Sequence, residues 1–370
     1  MKTRLRDNLW TIIFFLLLFI LAVMILVLIY SVQEQNQPEQ TAVGGVFIGS
    51  VADDGWNQNH YEGLKEACDG LGLSLETAEY VSETSKECRI AVDGLVKKGC
   101  RVIFLTSDGF GSNVADVIED YPDIVFYTIS PEASAKNITT YYGRMYQVRY
   151  LAGILAGSMT ETNVLGFVAA MRNVQVDRDI NAYTLGARQV NPDAVVKVRL
   201  TGSWFDGQKE REAANALIDE DGADVLTYHS STADTIGVAE KRGVYSIGYS
   251  RMGEHYSDRY LTAVVFHWDV LYEAILQDYL KGSIGKTTPY WWGVTEGAVG
   301  IDRFSPLVDE QIIGKLRDVR SGFEEGQDVF LGQIRRDDGK VMCRKDERMS
   351  DQALLFDMKW FVEGVEINAD

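Results

Sequence analysis

The sequence predicts an α/β protein of two doubly wound parallel-sheet lobes, preceded by one transmembrane helix. Three observations predict it. An unbroken apolar run opens the chain. Beyond it, short β-branched runs alternate with amphipathic helical stretches. That alternation plays through twice in 370 residues, a length suited to two domains rather than one. Continuous apolar strands between such helices belong to parallel sheets covered on both faces.

The opening run comes first. Residues 9–30 are apolar apart from Thr11, about 22 residues or roughly 33 Å of helix, enough to cross a bilayer. Lys2, Arg4 and Arg6 precede it, whereas residues 31–40 hold no Lys or Arg. The positive-inside bias therefore predicts a cytoplasmic N-terminus and an extracytoplasmic remainder at the cell membrane. A cleaved signal peptide is the competing reading. Against it, Leu28-Ile29-Tyr30 offers no small-residue cleavage site, and no cysteine lies nearby to take a lipid.

Residues 31–41 read as a polar linker. Strands are expected at 43–48, 101–105 and 124–129, with helices at 58–71 and from 114. The rhythm then resumes with strands at 164–168, 195–200, 225–228 and 244–247 and helices at 176–190, 209–218 and 233–241. Ligands of such sheets bind at the C-terminal strand ends. Function should thus lie in the loops at 53–59, 107–112, 169–175, 202–206, 229–232 and 249–252.

Composition narrows the partners. Lys and Arg number 36 against 54 Asp and Glu, a net charge of −18, which argues against nucleic acid and against adhesion to anionic lipid. The 46% hydrophobic and 11% aromatic content excludes a disordered chain. Cys68, Cys88, Cys100 and Cys343 match no zinc spacing; Cys88 with Cys100 is a conceivable disulfide, and buried free thiols are the alternative. Catalytic motifs are missing. Gly285-Lys286-Thr287 lacks the opening glycine of a P-loop, and Gly248-Tyr249-Ser250-Arg251-Met252 lacks the last glycine of a nucleophile elbow. The four histidines are scattered, and His267-Trp268-Asp269 places its pair too close in sequence to act together. The expectation is a protein that is not an enzyme and uses no cofactor or metal.

The loops hold rings beside carboxylates and amides: Asp53-Asp54-Gly55-Trp56-Asn57, Ser107-Asp108-Gly109-Phe110 and Ser203-Trp204-Phe205-Asp206. Rings can stack on a planar ligand while the polar groups read its N–H and C=O edges.

Those strings resemble the substrate-binding proteins of the basic membrane protein (BMP) family. So do Tyr150-Leu-Ala-Gly-Ile-Leu-Ala-Gly157, Ile180-Asn-Ala-Tyr-Thr-Leu-Gly-Ala187, Val190-Asn-Pro-Asp193 and Gly243-Val-Tyr-Ser-Ile-Gly-Tyr249. The resemblance runs in order through nearly the whole exported portion and is closest to a purine-binding branch. It implies a type I periplasmic-binding-protein fold whose lobes are joined by a three-segment hinge. It also implies capture of a purine nucleoside or base and delivery to the permease and ATPase of an ABC importer. The ligand positions it implies are Asp54, Trp56, Asn57, Asp108, Phe110, Tyr146, Trp204, Phe205 and Trp268, and the strand-end loops add Met171 and Tyr249 as candidates. The expected organisation is an anchor and linker at 1–40, lobe 1 at 41–143 plus about 266–286, lobe 2 at 144–265 plus about 287–325, and a C-terminal segment at 326–370 packing on the lobes. The chain departs from the family at Ser250-Arg251, where an acidic residue is usual, and at Met171-Arg172-Asn173, where a Pro-rich turn is usual. The rival reading is a membrane-anchored sensor of the same fold working through a membrane partner.

Overall fold

In the computed structural model, residues 20–25, 41–53, 55–132, 135–251, 253, 256–283 and 289–368 are described. The chain divides into two units, 1–41 and 42–370. Within the first unit, residues 20–25 are helical with exposed apolar side chains. The rest of the expected membrane span lies outside the described residues, among which no helix is long and apolar enough to cross a membrane.

The second unit carries two sheets. Lobe 1 is built on β1 (Ala42–Val46), β2 (Ser74–Ala78), β3 (Cys100–Leu105), β4 (Val125–Thr128) and β5 (Ile138–Gly143). Helices α1 (Trp56–Leu71), α2 (Ser85–Lys97) and the short α3 (Ala115–Glu119) connect them. Lobe 2 follows with α4 (Met145–Met159), β6 (Val164–Ala169), α5 (Val174–Val190), β7 (Val195–Leu200), α6 (Gly207–Asp219), β8 (Val225–His229), α7 (Asp234–Arg242), β9 (Tyr245–Ser250) and β10 (Tyr260–Phe266). The remainder comprises α8 (Trp268–Leu280), β11 (Tyr290–Trp292), β12 (Val299–Ile301), α9 (Glu310–Glu324), the pair β13 (Ile334–Arg335) and β14 (Val341–Cys343), and β15 (Val365–Asn368).

The first sheet runs β11-β5-β4-β3-β1-β2 and the second β12-β10-β9-β8-β6-β7-β15. Their strands are parallel except β12, which runs antiparallel to β10. Strand order shows the chain passing between sheets three times: after β5, after β10 and after β11. The crossing segments lie side by side. Arg144 donates its backbone N–H to Trp292 O at 2.6 Å, and His267 donates to Ala298 O at 3.0 Å.

One expected boundary is corrected. Residues 290–292, assigned by sequence to lobe 2, pair with β5 in the sheet of lobe 1. The C-terminal segment does more than pack against the lobes, because β15 adds an edge strand to the second sheet beside β7.

Local chemistry explains the helix starts that matter. Asn173 caps α5, its side chain accepting from Val176 N at 2.9 Å, and Asp206 caps α6 by accepting from Lys209 N at 3.1 Å. Both caps sit directly after strands, so each helix begins where its strand ends at the cleft. All four cysteines are free and buried. Burial pushes the Cys68 and Cys88 thiols up to about 12, so they pack as protonated apolar groups.

Candidate functional site

A cavity of about 260 Å³ lies between the lobes. Lobe 1 lines it with Trp56 from the start of α1, Ser107, Asp108 and Gly109 from the loop after β3, and Tyr142 from β5. Lobe 2 lines it with Met171 after β6, Trp204 after β7, His229 and Ser230 at the end of β8, and Tyr249 near the end of β9. Most of the walls are therefore the C-terminal ends of parallel strands, where sheet topology leaves backbone groups and loop side chains free for a ligand.

Each ring is fixed from behind. Trp56 donates its indole N–H to Thr106 O at 2.8 Å and meets Phe266 and Trp268 edge-on, with centroids 5.8 and 5.6 Å away. The Tyr249 hydroxyl lies 2.8 Å from His229 Nε2, while His229 Nδ1 faces Asp179 Oδ2 at 3.4 Å. Arg149 stacks its guanidinium 4.4 Å from the centre of the Tyr249 ring and holds Tyr228 O and Thr227 Oγ1 at 2.7 and 3.0 Å. Burial, with Arg149 and Arg178 nearby, holds the His229 imidazole well below its ordinary pKa, so it is neutral. The carboxylate beside Nδ1 favours the proton there, which makes Nε2 the acceptor from Tyr249; the Tyr249 hydroxyl also bonds Tyr142, which leaves its oxygen one lone pair for a donor on the ligand.

The acidic wall is also arranged. Glu83 accepts from Ser107 Oγ at 2.5 Å and from Gly109 N at 2.9 Å, which fixes the loop carrying Asp108. Burial and the neighbouring Glu83 and Glu132 push the Asp108 carboxyl up to about 6. Opposite it, buried Glu210 accepts from Ser230 Oγ, from Thr235 N and from Thr235 Oγ1, each at 2.9 Å, and pins the loop after β8.

The lobes touch across the mouth. Asn59 of α1 donates to Ser250 O at 2.7 Å and Ser250 Oγ at 3.1 Å. A Cβ built on Gly55 would stand 2.2 Å from Ser231 O, so only glycine permits this approach.

Of the sequence-derived candidates, Trp56, Asp108, Met171, Trp204 and Tyr249 meet at the cavity. Asp54 lies outside the described residues. The others are placed elsewhere by packing. Asn57 is buried and ties the first loop, donating to Asp53 Oδ2 at 2.7 Å and accepting from Gly49 N. Phe110 is buried in the lobe 1 core with Val46, Ile103 and Leu105. Tyr146 donates to Asp328 Oδ2 at 3.2 Å and packs on Phe330, which secures the C-terminal segment. Phe205 is 46% exposed. Trp268 is buried behind Trp56, stacked on Phe266 at 4.4 Å and on His60 at 3.9 Å. Sequence reasoning missed Glu83, Tyr142 and Gln175. Tyr142 lies in the run Ile-Thr-Thr-Tyr-Tyr-Gly at 138–143, which shows no alternation, and no motif marks it.

The Bmp family, described as ABC transporter substrate-binding protein PnrA-like, matches residues 40–325. A purine-binding protein of Brucella abortus is 34% identical over 333 residues, covering 89% of this chain and 93% of its own. A putative ABC transporter glucose-binding protein of Haloferax volcanii is also 34% identical, covering 90% of this chain and 82% of its own. A solved ABC transporter solute-binding protein from Aeropyrum pernix shares the fold at TM-score 0.67 and 17% identity, covering 80% of this chain and 93% of its own.

Proposed function

The chain belongs to the Bmp family of ABC transporter substrate-binding proteins, and on that premise we propose that it is an extracytoplasmic receptor that captures a purine base or nucleoside and delivers it to an ABC importer. One observation carries the reading: Trp56 and Trp204 approach one cavity from opposite lobes, with Asp108 and Tyr249 beside them. Indoles offer flat faces to a planar heterocycle, and the carboxyl and phenol oxygens accept from its ring N–H and amino groups. The apolar walls and small volume suit one flat solute, near the lower end, about 300 Å³, of small-molecule sites.

Binding closes the cleft. A ligand touching both lobes stabilises the arrangement in which Asn59 meets Ser250, and the hinge formed by the three crossings gives the freedom to open. The closed surface is what the permease recognises. The N-terminal apolar run tethers the receptor to the membrane, with its N-terminus cytoplasmic. The ligand is bound and released unchanged.

The test is native purification of the full chain, mass spectrometry of any small molecule carried with it, and calorimetric titration with adenine, hypoxanthine, adenosine, guanosine and glucose. Stoichiometric binding of a purine supports the proposal. Binding of glucose with no response to purines would reject the purine reading, and release of free base from a nucleoside would reject a pure binder.

A further inference from the structure

A second cavity, of about 230 Å³, adjoins the first and shares Ile129, Tyr142 and Gln175 with it. Its other walls come from the β11 region of lobe 1, from α5 and from residues 351–356. Two buried donors line it without a partner. Arg178, 1% exposed, spends Nη1 on Leu354 O at 2.7 Å, while Nε and Nη2 have no hydrogen bond. Trp291, 9% exposed, has an unpartnered indole N–H. The two are neighbours, with the guanidinium 4.9 Å from the indole ring centre.

Among the described residues, none of the nearby carboxylates forms an ion pair with Arg178, although the buried Asp179, with neither oxygen hydrogen-bonded, attracts it at longer range. Asp351, on the wall of this cavity, accepts from both terminal nitrogens of Arg144 at 2.9 and 2.8 Å. Asp179 faces His229 at 3.4 Å and Arg149 at 3.6 Å. Asp108 lies on the first cavity. A buried guanidinium without a contacting carboxylate carries a large desolvation cost, and an unpaired indole N–H adds to it.

We propose that this chamber is an annex of the ligand site that takes one singly charged oxyanion group, held by Arg178 and by the indole N–H of Trp291. Two buried guanidiniums, Arg149 and Arg178, stand against the one buried carboxylate of Asp179, so one further negative charge balances the set; a dianion would leave an excess charge among Tyr141, Tyr290 and Phe356. The anion is either an acidic group on the cleft ligand or a small carboxylate bound beside it. In the first case the inference rests on the purine reading and narrows the substrate to anionic purines.

The experiment titrates the full chain by calorimetry with two pairs, urate against hypoxanthine and acetate against acetamide, at neutral pH and constant ionic strength. Trp291→Phe keeps an aromatic ring and removes the donor; Arg178→Met removes the charge; circular dichroism reports whether each folds. At least one anion should bind about tenfold or more tighter than its neutral counterpart, and Trp291→Phe should cut that ratio several-fold. A preference for urate alone places the charge on the ligand; a preference for acetate places it on a separate anion. Ratios near one in the wild type, or ratios unchanged in a folded Trp291→Phe, would overturn the annex. If no purine binds but acetate shows a Trp291-dependent preference, the purine reading fails and the annex stands; if neither responds, both fail.

Discussion

Trp204 is the cleanest probe of the cleft, because its described ring contact is with His229 at 6.0 Å and its side chain is only half-buried. Trp204→Ala should weaken ligand binding by roughly 2–4 kcal/mol, the range of a hot-spot aromatic, and shift the melting temperature of the ligand-free protein little. Calorimetry and thermal unfolding of the same variant separate these effects; a large loss of stability with unchanged affinity would remove Trp204 from the site. Trp56 cannot serve this purpose, since it also packs on His60, Phe266 and Trp268. Asp108 gives a prediction in pH. Its carboxyl titrates near 6 in the folded chain and near about 3.9 unfolded. The folded state therefore holds the proton more tightly, and this group favours folding below about pH 4 and loses that contribution as pH rises through 6. Urea unfolding should show wild type losing up to about 3 kcal/mol relative to Asp108→Asn between pH 4 and pH 7; parallel curves would mean that Asp108 is not buried as described. At this scale the sequence was half legible. Trp56 and Trp204 announced themselves as rings in polar loops after strands. Phe110 carried the same signature and Trp268 was implied by the family resemblance, yet one fills the lobe 1 core and the other backs Trp56. Which of two nearby rings faces the cleft depends on contacts distant in sequence.

Two of the strings that carried the family resemblance explain themselves at the level of elements. Tyr150–Gly157 lies in α4 and Ile180–Ala187 in α5, and those helices pack backbone to backbone. A Cβ on Gly153 would stand 2.0 Å from Tyr183 O, and one on Gly186 would stand 2.0 Å from Tyr150 O. The motifs are therefore packing motifs, and their contribution to binding is indirect, through the cavity-lining Asn173 and Gln175 at the start of α5. Gly186→Ala should force the helices apart and cost about 1–3 kcal/mol in stability, read as a lower urea midpoint at constant m-value. No change would mean that the helices can separate freely. Although the interior strands β5 and β10 were missed, the remaining central strands were legible because each is a continuous apolar run. β2, with the sequence Ser-Leu-Glu-Thr-Ala, was not. It lies at a sheet edge, half-buried along its whole length, and edge positions relax the demand for apolar residues. The strand β11 was misassigned because three residues give no period to read.

Closure is a property of the whole molecule, and Gly55 is its tightest point. Gly55→Ala places a methyl 2.2 Å from Ser231 O of the opposite lobe, so the mouth cannot shut fully. Ligand should then shrink the radius of gyration of wild type but not of the variant in X-ray scattering, and affinity should fall more than about tenfold; normal compaction by the variant would show that the closed form differs from the one described. Anchoring is tested at the same scale. Residues 9–30 should keep the protein in salt-washed membranes with its N-terminus intact, whereas a mature protein beginning near Ser31 would show cleavage. The two-lobe architecture was legible from the twice-played strand and helix rhythm, but the hinge was not, since its partners, Arg144 with Trp292 and His267 with Ala298, lie far apart along the chain. Three crossings also mean that neither lobe is a continuous stretch of the gene. A single recombination event cannot exchange one lobe for a relative's, because any one junction splits a sheet between two parents. New ligand preferences in such a receptor must therefore arise by substitutions within the loops, and library designs that shuffle at one breakpoint should yield mostly unfolded chimeras.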